Sequence, residues 1–140
     1  MNQSINPMQY GIPGAIKVLI VDDTDVIRKV MLMLFRKLGI AAEAVENGLD
    51  AVERMRIEHF DLIMMDLRMP FMDGLLATKI IRSEKGAVYP VIIGLSGDGS
   101  DEDIRACRDA GMDAHVVKPP KVDSLLTLIG DIFVARSSAQ

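Results

Sequence analysis

Five residues carry the chemistry open to this chain: Asp22, Asp23, Asp66, Ser96 and Lys118. Each set follows directly on an aliphatic run: KVLIV leads into Asp22 and Asp23, LIMM into Asp66, VIIGL into Ser96 and HVV into Lys118. Adjacent carboxylates repel, and burying one without a partner is costly, so a cation must hold them. Three carboxylates offering only oxygen suit a hard divalent ion. Mg2+ fits best, because it takes one or two carboxylates, keeps several waters and expects phosphate oxygens as the remainder; Mn2+ is a possible substitute. Lys118 would then be a point charge opposite the ion, and Ser96 a hydrogen-bond donor. These are the parts of phosphoryl transfer, which needs an in-line nucleophile and positive groups around the equatorial oxygens. A carboxylate nucleophile would give an acyl phosphate.

Such a site exists only if the fold brings four chain segments to one edge. Five short aliphatic runs recur: Ile16–Val21, Ala41–Val45, Asp61–Met65, Val91–Leu95 and Asp113–Val117. Most are apolar throughout rather than alternating, as expected of strands buried on both faces of a parallel sheet. Helical patterns lie between them. Thr24 to Leu38 places Ile27, Met31, Leu34 and Leu38 on one stripe, and Gly39 supplies a stop. Asn47 can cap a helix running to about Glu58, Gly74 precedes one reaching Ser83, Asp101 to Ala110 ends at Gly111, and Val122 to Ala135 closes the pattern. The βα alternation predicts an α/β fold with a doubly wound parallel sheet. In such sheets ligands bind beyond the carboxyl ends of the strands, where all five residues fall.

The 140 residues suit one domain, and 49% hydrophobic with 26% charged content is globular. A net charge of −4 argues against a nucleic-acid surface, and no apolar run is long enough for a membrane helix. The single cysteine, Cys107, fits a reducing, cytoplasmic setting and reads as a buried structural thiol. Residues 1–15 are expected to be a flexible lead, 16–135 the domain and 136–140 a flexible tail.

VLIVDD, MMDLRMPFMDG, the strand ending in Ser96, and VVKPP together resemble the response-regulator receiver domain of two-component signalling. The resemblance covers about residues 16 to 135, and GMDAHVVKP is similar to receivers attached to hybrid histidine kinases. It implies a flavodoxin-like (βα)5 fold with strand order 2-1-3-4-5. It also implies a signalling module that catalyses its own phosphorylation and dephosphorylation, rather than a conventional turnover enzyme. Asp66 would accept a phosphoryl group from a histidine kinase or a histidine phosphotransfer domain. Asp23 and Asp66 would bind Mg2+ directly, Asp22 largely through water, and the Arg68 backbone carbonyl would complete the protein ligands. Lys118 would contact the phosphoryl group and Ser96 would move to bond it. The Lys118–Pro119 bond is expected to be cis. Phosphorylation would switch the surface around the fourth helix, fifth strand and fifth helix, and a homodimer is possible. A standalone regulator, a phosphorelay intermediate and a piece of a larger hybrid kinase all remain open.

Some features depart from the family pattern or admit other readings. His115 occupies the switch position where tyrosine or phenylalanine is usual, which puts a standard aromatic rotamer switch in doubt. Asp23 or Asp25 can instead cap the first helix. Val26, Val30 and Met33 extend the apolar arc of that helix, either as a wide core face or as a docking surface for a helical phosphodonor. Arg68 and Asp98 are expected to pair across the phosphoryl group. A rival class is a haloacid-dehalogenase-type phosphatase, in which Asp23-Thr24-Asp25-Val26 supplies nucleophile Asp23 and acid/base Asp25, and GDGSD the late metal-binding acids. It leaves Asp66 and Lys118 without a role.

Overall fold

Runs of β-branched and aliphatic residues bury both their faces by pairing side by side and accepting helices above and below. A computed structural model describes residues 6–138; residues 1–5 of the expected lead and 139–140 of the expected tail lie outside them. The strands are β1 (Lys17–Val21), β2 (Ala41–Val45), β3 (Leu62–Asp66), β4 (Val91–Ser96) and β5 (Ala114–Val117). All pairings are parallel, in the order β2-β1-β3-β4-β5. The central strands β3 and β4 are buried at every residue, whereas the edge strands β2 and β5 are largely half-buried.

Five helices alternate with the strands: α1 (Asp25–Lys37), α2 (Gly48–Ile57), α3 (Gly74–Lys85), α4 (Asp101–Ala110) and α5 (Val122–Ser138). The pleat divides the interior into two cores. Val18, Ile20, Met64 and Ile93 pack with α1 and α5, while Leu19, Val21, Ile63 and Met65 pack with α2 and α3. Asn47, Asp73 and Ser100 cap α2, α3 and α4, each side chain accepting a backbone N–H three residues on. No helix among the described residues is long and apolar enough to cross a membrane.

The helix stripe on α1 differs from expectation. Met31, Phe35 and Leu38 are buried, while Ile27 and Leu34 are only partly so. Phe35 takes the central position because it falls one turn from both Met31 and Leu38. Neither Asp23 nor Asp25 caps α1: its N-cap is Thr24, without a side-chain cap bond.

The chain ends also differ. Pro7–Tyr10 form a 3-10 helix and Ile12 is buried in the core, so this part of the expected flexible lead straps onto α5. The Tyr10 hydroxyl donates to Asp123 at 3.2 Å. Gly130 makes the approach possible, since a Cβ there would lie 1.6 Å from the Tyr10 carbonyl oxygen. At the other end α5 continues through Arg136, whose guanidinium pairs with Asp113 and lies 5.4 Å from the Tyr89 ring centre. Apolar burial and an ion pair order both segments, and neither is visible in local composition.

Gly130→Ala should force the strap off α5 and lower the unfolding free energy by about 1–3 kcal/mol, as overpacking does. Urea denaturation checks this; an unchanged midpoint would mean the strap contributes nothing.

Candidate functional site

The strand order brings the chemical residues together. From β1 the chain goes to one side for β2 and to the other for β3, which opens a crevice at the carboxyl ends of β1 and β3. Val21 lies opposite Met65, so Asp22 and Asp66 leave adjacent strands side by side. Asp66 lies opposite Leu95, and Ser96 opposite Val117, which sets Ser96 and Lys118 on the same edge. Asp66 and Ser96 are the last residues of their strands, so the rigid sheet holds them.

Asp22 is fully buried, Asp66 nearly so, and Asp23 is exposed. One carboxylate oxygen from each lies within 4.8 Å of the others. Lys118 Nζ donates to Asp22 Oδ2 at 3.2 Å and stands 3.1 Å from Asp66 Oδ1, bridging the two buried acids. Asp22 Oδ1 accepts the Thr24 N–H at 2.8 Å, and its backbone carbonyl accepts from Arg28 at 2.8 Å. These bonds tie the β1–α1 turn down. The Lys118–Pro119 peptide is cis. The β3–α3 loop returns tightly: the Gly74 N–H donates to the Leu67 carbonyl, and a Cβ on Gly74 would lie 1.9 Å from the Asp66 carbonyl oxygen. Only glycine lets that loop close against Asp66.

The electrostatics leave one cation short of balance. Burial, reinforced by the Asp22 charge and opposed by Lys118, pushes the Asp66 carboxyl up to about 6. Burial works against the Lys118 charge, but the hydrogen bond to Asp66 and the fields of both acids outweigh it, so its pKa is raised. Asp66 Oδ2 is buried without a hydrogen-bond partner among the described residues. A buried unpaired carboxylate oxygen beside two more carboxylates, with only oxygen donors, is what a hard divalent cation satisfies. The residues present fit Mg2+.

The flanking residues form a cleft of about 320 Å3 whose lining includes Asp23, Asp66, Arg68, Ser96, Asp103 and Lys118. Ser96 Oγ lies 2.5 Å from His115 Nε2 and accepts the Gly99 N–H at 3.1 Å. His115 therefore touches the site hydroxyl itself. In the unphosphorylated chain Arg68 pairs with Asp103 rather than with Asp98, whereas the expected Arg68–Asp98 pairing was across a phosphoryl group. The Arg68 guanidinium bonds Asp103, a buried carboxylate in the first turn of α4, whereas Asp98 accepts the Ser100 N–H at 3.1 Å. A buried carboxylate outcompetes an exposed one for the guanidinium, because only the buried one lacks water as an alternative partner. Sequence reasoning missed Asp103, although a serine three residues before it marks a helix start.

The phosphatase arrangement does not form. Asp25 is 77% exposed and bonds Arg28 on the surface of α1, outside the carboxylate cluster. Cys107 is buried in α4, and its thiol is pushed up to about 11 by burial and then by the Asp103 charge, so it stays a neutral packing group. Val26, Val30 and Met33 form a stripe at helical spacing, 65%, 52% and 58% exposed.

The family model for the response regulator receiver domain matches residues 18–130. Hybrid signal transduction histidine kinase F of Dictyostelium discoideum is 38% identical over 126 residues, which is 87% of this chain and 11% of that kinase. The chain thus spans about a tenth of that relative's length. Two solved structures have the same fold. The receiver domain of a Pseudomonas aeruginosa sensor histidine kinase, crystallised with magnesium coordinated in its active-site cleft, is 30% identical with a TM-score of 0.78 and covers 86% of this chain and 98% of its own. The receiver domain of the Saccharomyces cerevisiae response regulator Ssk1, solved with the histidine phosphotransfer protein Ypd1, is 27% identical with a TM-score of 0.78, covering 87% of this chain and 91% of the matched one. The chain belongs to the response regulator receiver domain family.

The raised Asp66 pKa sets a pH dependence. Its folded value of about 6 lies above the ordinary 3.8, so the folded protein takes up a proton as pH falls through 6 while the unfolded chain does not until near 4. The cost of the buried carboxylate is therefore fully present above pH 6 and fades toward pH 4. Without metal, Asp66→Asn should be more stable than wild type at pH 7.5, by on the order of 1–3 kcal/mol, with the gain shrinking by pH 5. Adding Mg2+ should raise the wild-type melting temperature and leave the variant nearly unmoved. Thermal unfolding with EDTA and with Mg2+ at both pH values tests both statements.

Proposed function

We propose that Asp66 is the phosphoacceptor of this receiver domain, taking a phosphoryl group from a phosphohistidine on a histidine kinase or histidine phosphotransfer domain. The observation that carries the reading is the buried Asp66 carboxylate, with Oδ2 unpaired, set between Lys118 and two further acids. An Asp66 oxygen attacks phosphorus; the O–P bond forms as the N–P bond breaks, and the departing imidazole nitrogen keeps the electron pair. The sheet and the Lys118 bond hold the carboxylate at fixed orientation, so no side-chain ordering remains to be done at the moment of transfer. Lys118 sits beside the incoming phosphoryl oxygens and neutralises charge as the acyl phosphate forms. Asp22, Asp23, Asp66 and the Arg68 carbonyl would hold Mg2+, or Mn2+ in its place. Bound there, the ion supplies a Lewis acid that offsets the charge gathered on the phosphoryl group.

Ser96 is the group whose bonding changes most simply. Its hydroxyl rests against His115, and turning it toward a phosphoryl oxygen breaks that contact, which couples Asp66 to β5 and the surface around α4, β5 and α5. A solved relative bound to a histidine phosphotransfer protein, together with the exposed apolar stripe on α1, supports docking of the donor through Val26, Val30 and Met33. The stripe begins three residues after Asp23, beside the site.

Incubation with acetyl phosphate and Mg2+ should add one phosphoryl mass to wild type, and none to Asp66→Asn or to wild type in EDTA. Phosphate retained by Asp66→Asn would overturn the assignment. Val30→Glu should keep acetyl-phosphate labelling while slowing transfer from a phosphorylated histidine phosphotransfer domain roughly tenfold or more, the scale of losing an apolar contact at an interface centre. Equal transfer rates would remove α1 from the docking surface.

A further inference from the structure

The Arg68–Asp103 pair connects the loop after Asp66 to the first turn of α4. Its two members sit in opposite environments: the Arg68 side chain is 72% exposed and that of Asp103 is 7% exposed. Among the described residues Arg68 is the one side-chain partner of the Asp103 carboxylate, which sits one turn before buried Cys107. Asp103 also supplies the N–H that Ser100 caps, so its position and the start of α4 move together. Arg68 is anchored at the other end, its backbone N–H 3.4 Å from Asp66 Oδ1. Both side chains line the cleft that Asp66, Ser96 and Lys118 share.

We propose that Arg68 is a shared cation that leaves Asp103 for the phosphoryl group on Asp66, so that phosphorylation releases the first turn of α4. The inference rests on Asp66 being the phosphoacceptor. A phosphoryl group adjoining the Arg68 backbone carries more charge than a carboxylate and presents oxygens in the spacing a guanidinium fork matches. Arg68 needs only rotate its exposed side chain to reach into the same cleft. Asp103 is then left as a buried charge without its cation, and a short helix end relieves that by opening to water. The α4 turn is thus bistable: closed while Arg68 neutralises Asp103, open once the phosphoryl group claims the guanidinium. The device differs from the Ser96–His115 contact in the bond it breaks, the Arg68–Asp103 ion pair rather than a bond of the Ser96 hydroxyl.

Amide hydrogen exchange at Ile104 to Cys107, read by NMR, tests the exchange of partners, with intact mass taken on the same samples. Phosphorylating wild type with acetyl phosphate and Mg2+ should speed exchange at these amides roughly tenfold, the scale of losing one charge-assisted hydrogen bond. Arg68→Ala should show the fast exchange already without phosphate, and Arg68→Lys should stay near wild type. Asp103→Asn should stay slow in both states, because a neutral amide tolerates loss of the arginine. A phosphoryl adduct on wild type with unchanged α4 exchange, or slow exchange in unmodified Arg68→Ala, would overturn the partner exchange while leaving the phosphoacceptor in place. No adduct on wild type would overturn the phosphoacceptor reading and this inference together.

Discussion

The ammonium of Lys118 set between Asp22 and Asp66 is the interaction on which the rest of this molecule turns. Two carboxylates at the ends of adjacent central strands could not both be charged and dry without it. The pair is reached across the whole sheet, since Lys118 follows β5, Asp66 ends β3 and Asp22 follows β1. One lysine therefore closes the active-site edge of the domain as well as supplying its charge. It does not satisfy the edge completely: Asp66 Oδ2 is left over, and Asp66 remains harder to ionise than an ordinary aspartate. That remainder, one unpaired oxygen beside two further carboxylates, is what a hard divalent cation would satisfy.

Around this edge the domain is held in ways that differ from one loop to the next. The β3–α3 loop is fixed by close backbone approach, with Gly74 against the Asp66 carbonyl. The β1–α1 turn is fixed by hydrogen bonds to Asp22 from Thr24 and Arg28. The β4–α4 segment is held mainly through side chains: Ser96 to His115 and to the Gly99 N–H, Asp98 to the Ser100 N–H, Ser100 to the Asp103 N–H, and Arg68 to Asp103.

The far end of the domain is built for stability. Asp113 accepts from Arg82 and Arg136 and from the Ile92 N–H, joining α3, α5 and β4 at one carboxylate. The strap through Tyr10 and Ile12 covers α5 and adds apolar burial to the core shared by α1 and α5. These contacts let the opposite edge carry a buried, imperfectly compensated charge cluster without losing the fold.

Much of the fold and most of the site were legible in the sequence, for a physical reason. Strands buried on both faces must be apolar along their whole length, so VLIV, LIMM and VIIGL announce themselves, and the polar residues that end them stand out as the ones the sheet presents at its edge. Asp22, Asp23, Asp66, Ser96 and Lys118 were readable on those terms. What the tertiary structure alone decided are the pairings between side chains distant in sequence. Arg68 chose Asp103 over Asp98 because burial, not proximity along the chain, sets the value of an ion pair. Phe35 rather than Ile27 or Leu34 centred the α1 face, the strap found α5 through the space left by Gly130, and Arg136 was drawn in by Asp113. Local sequence records what each residue prefers; which partner it obtains depends on the packing that excludes water around it.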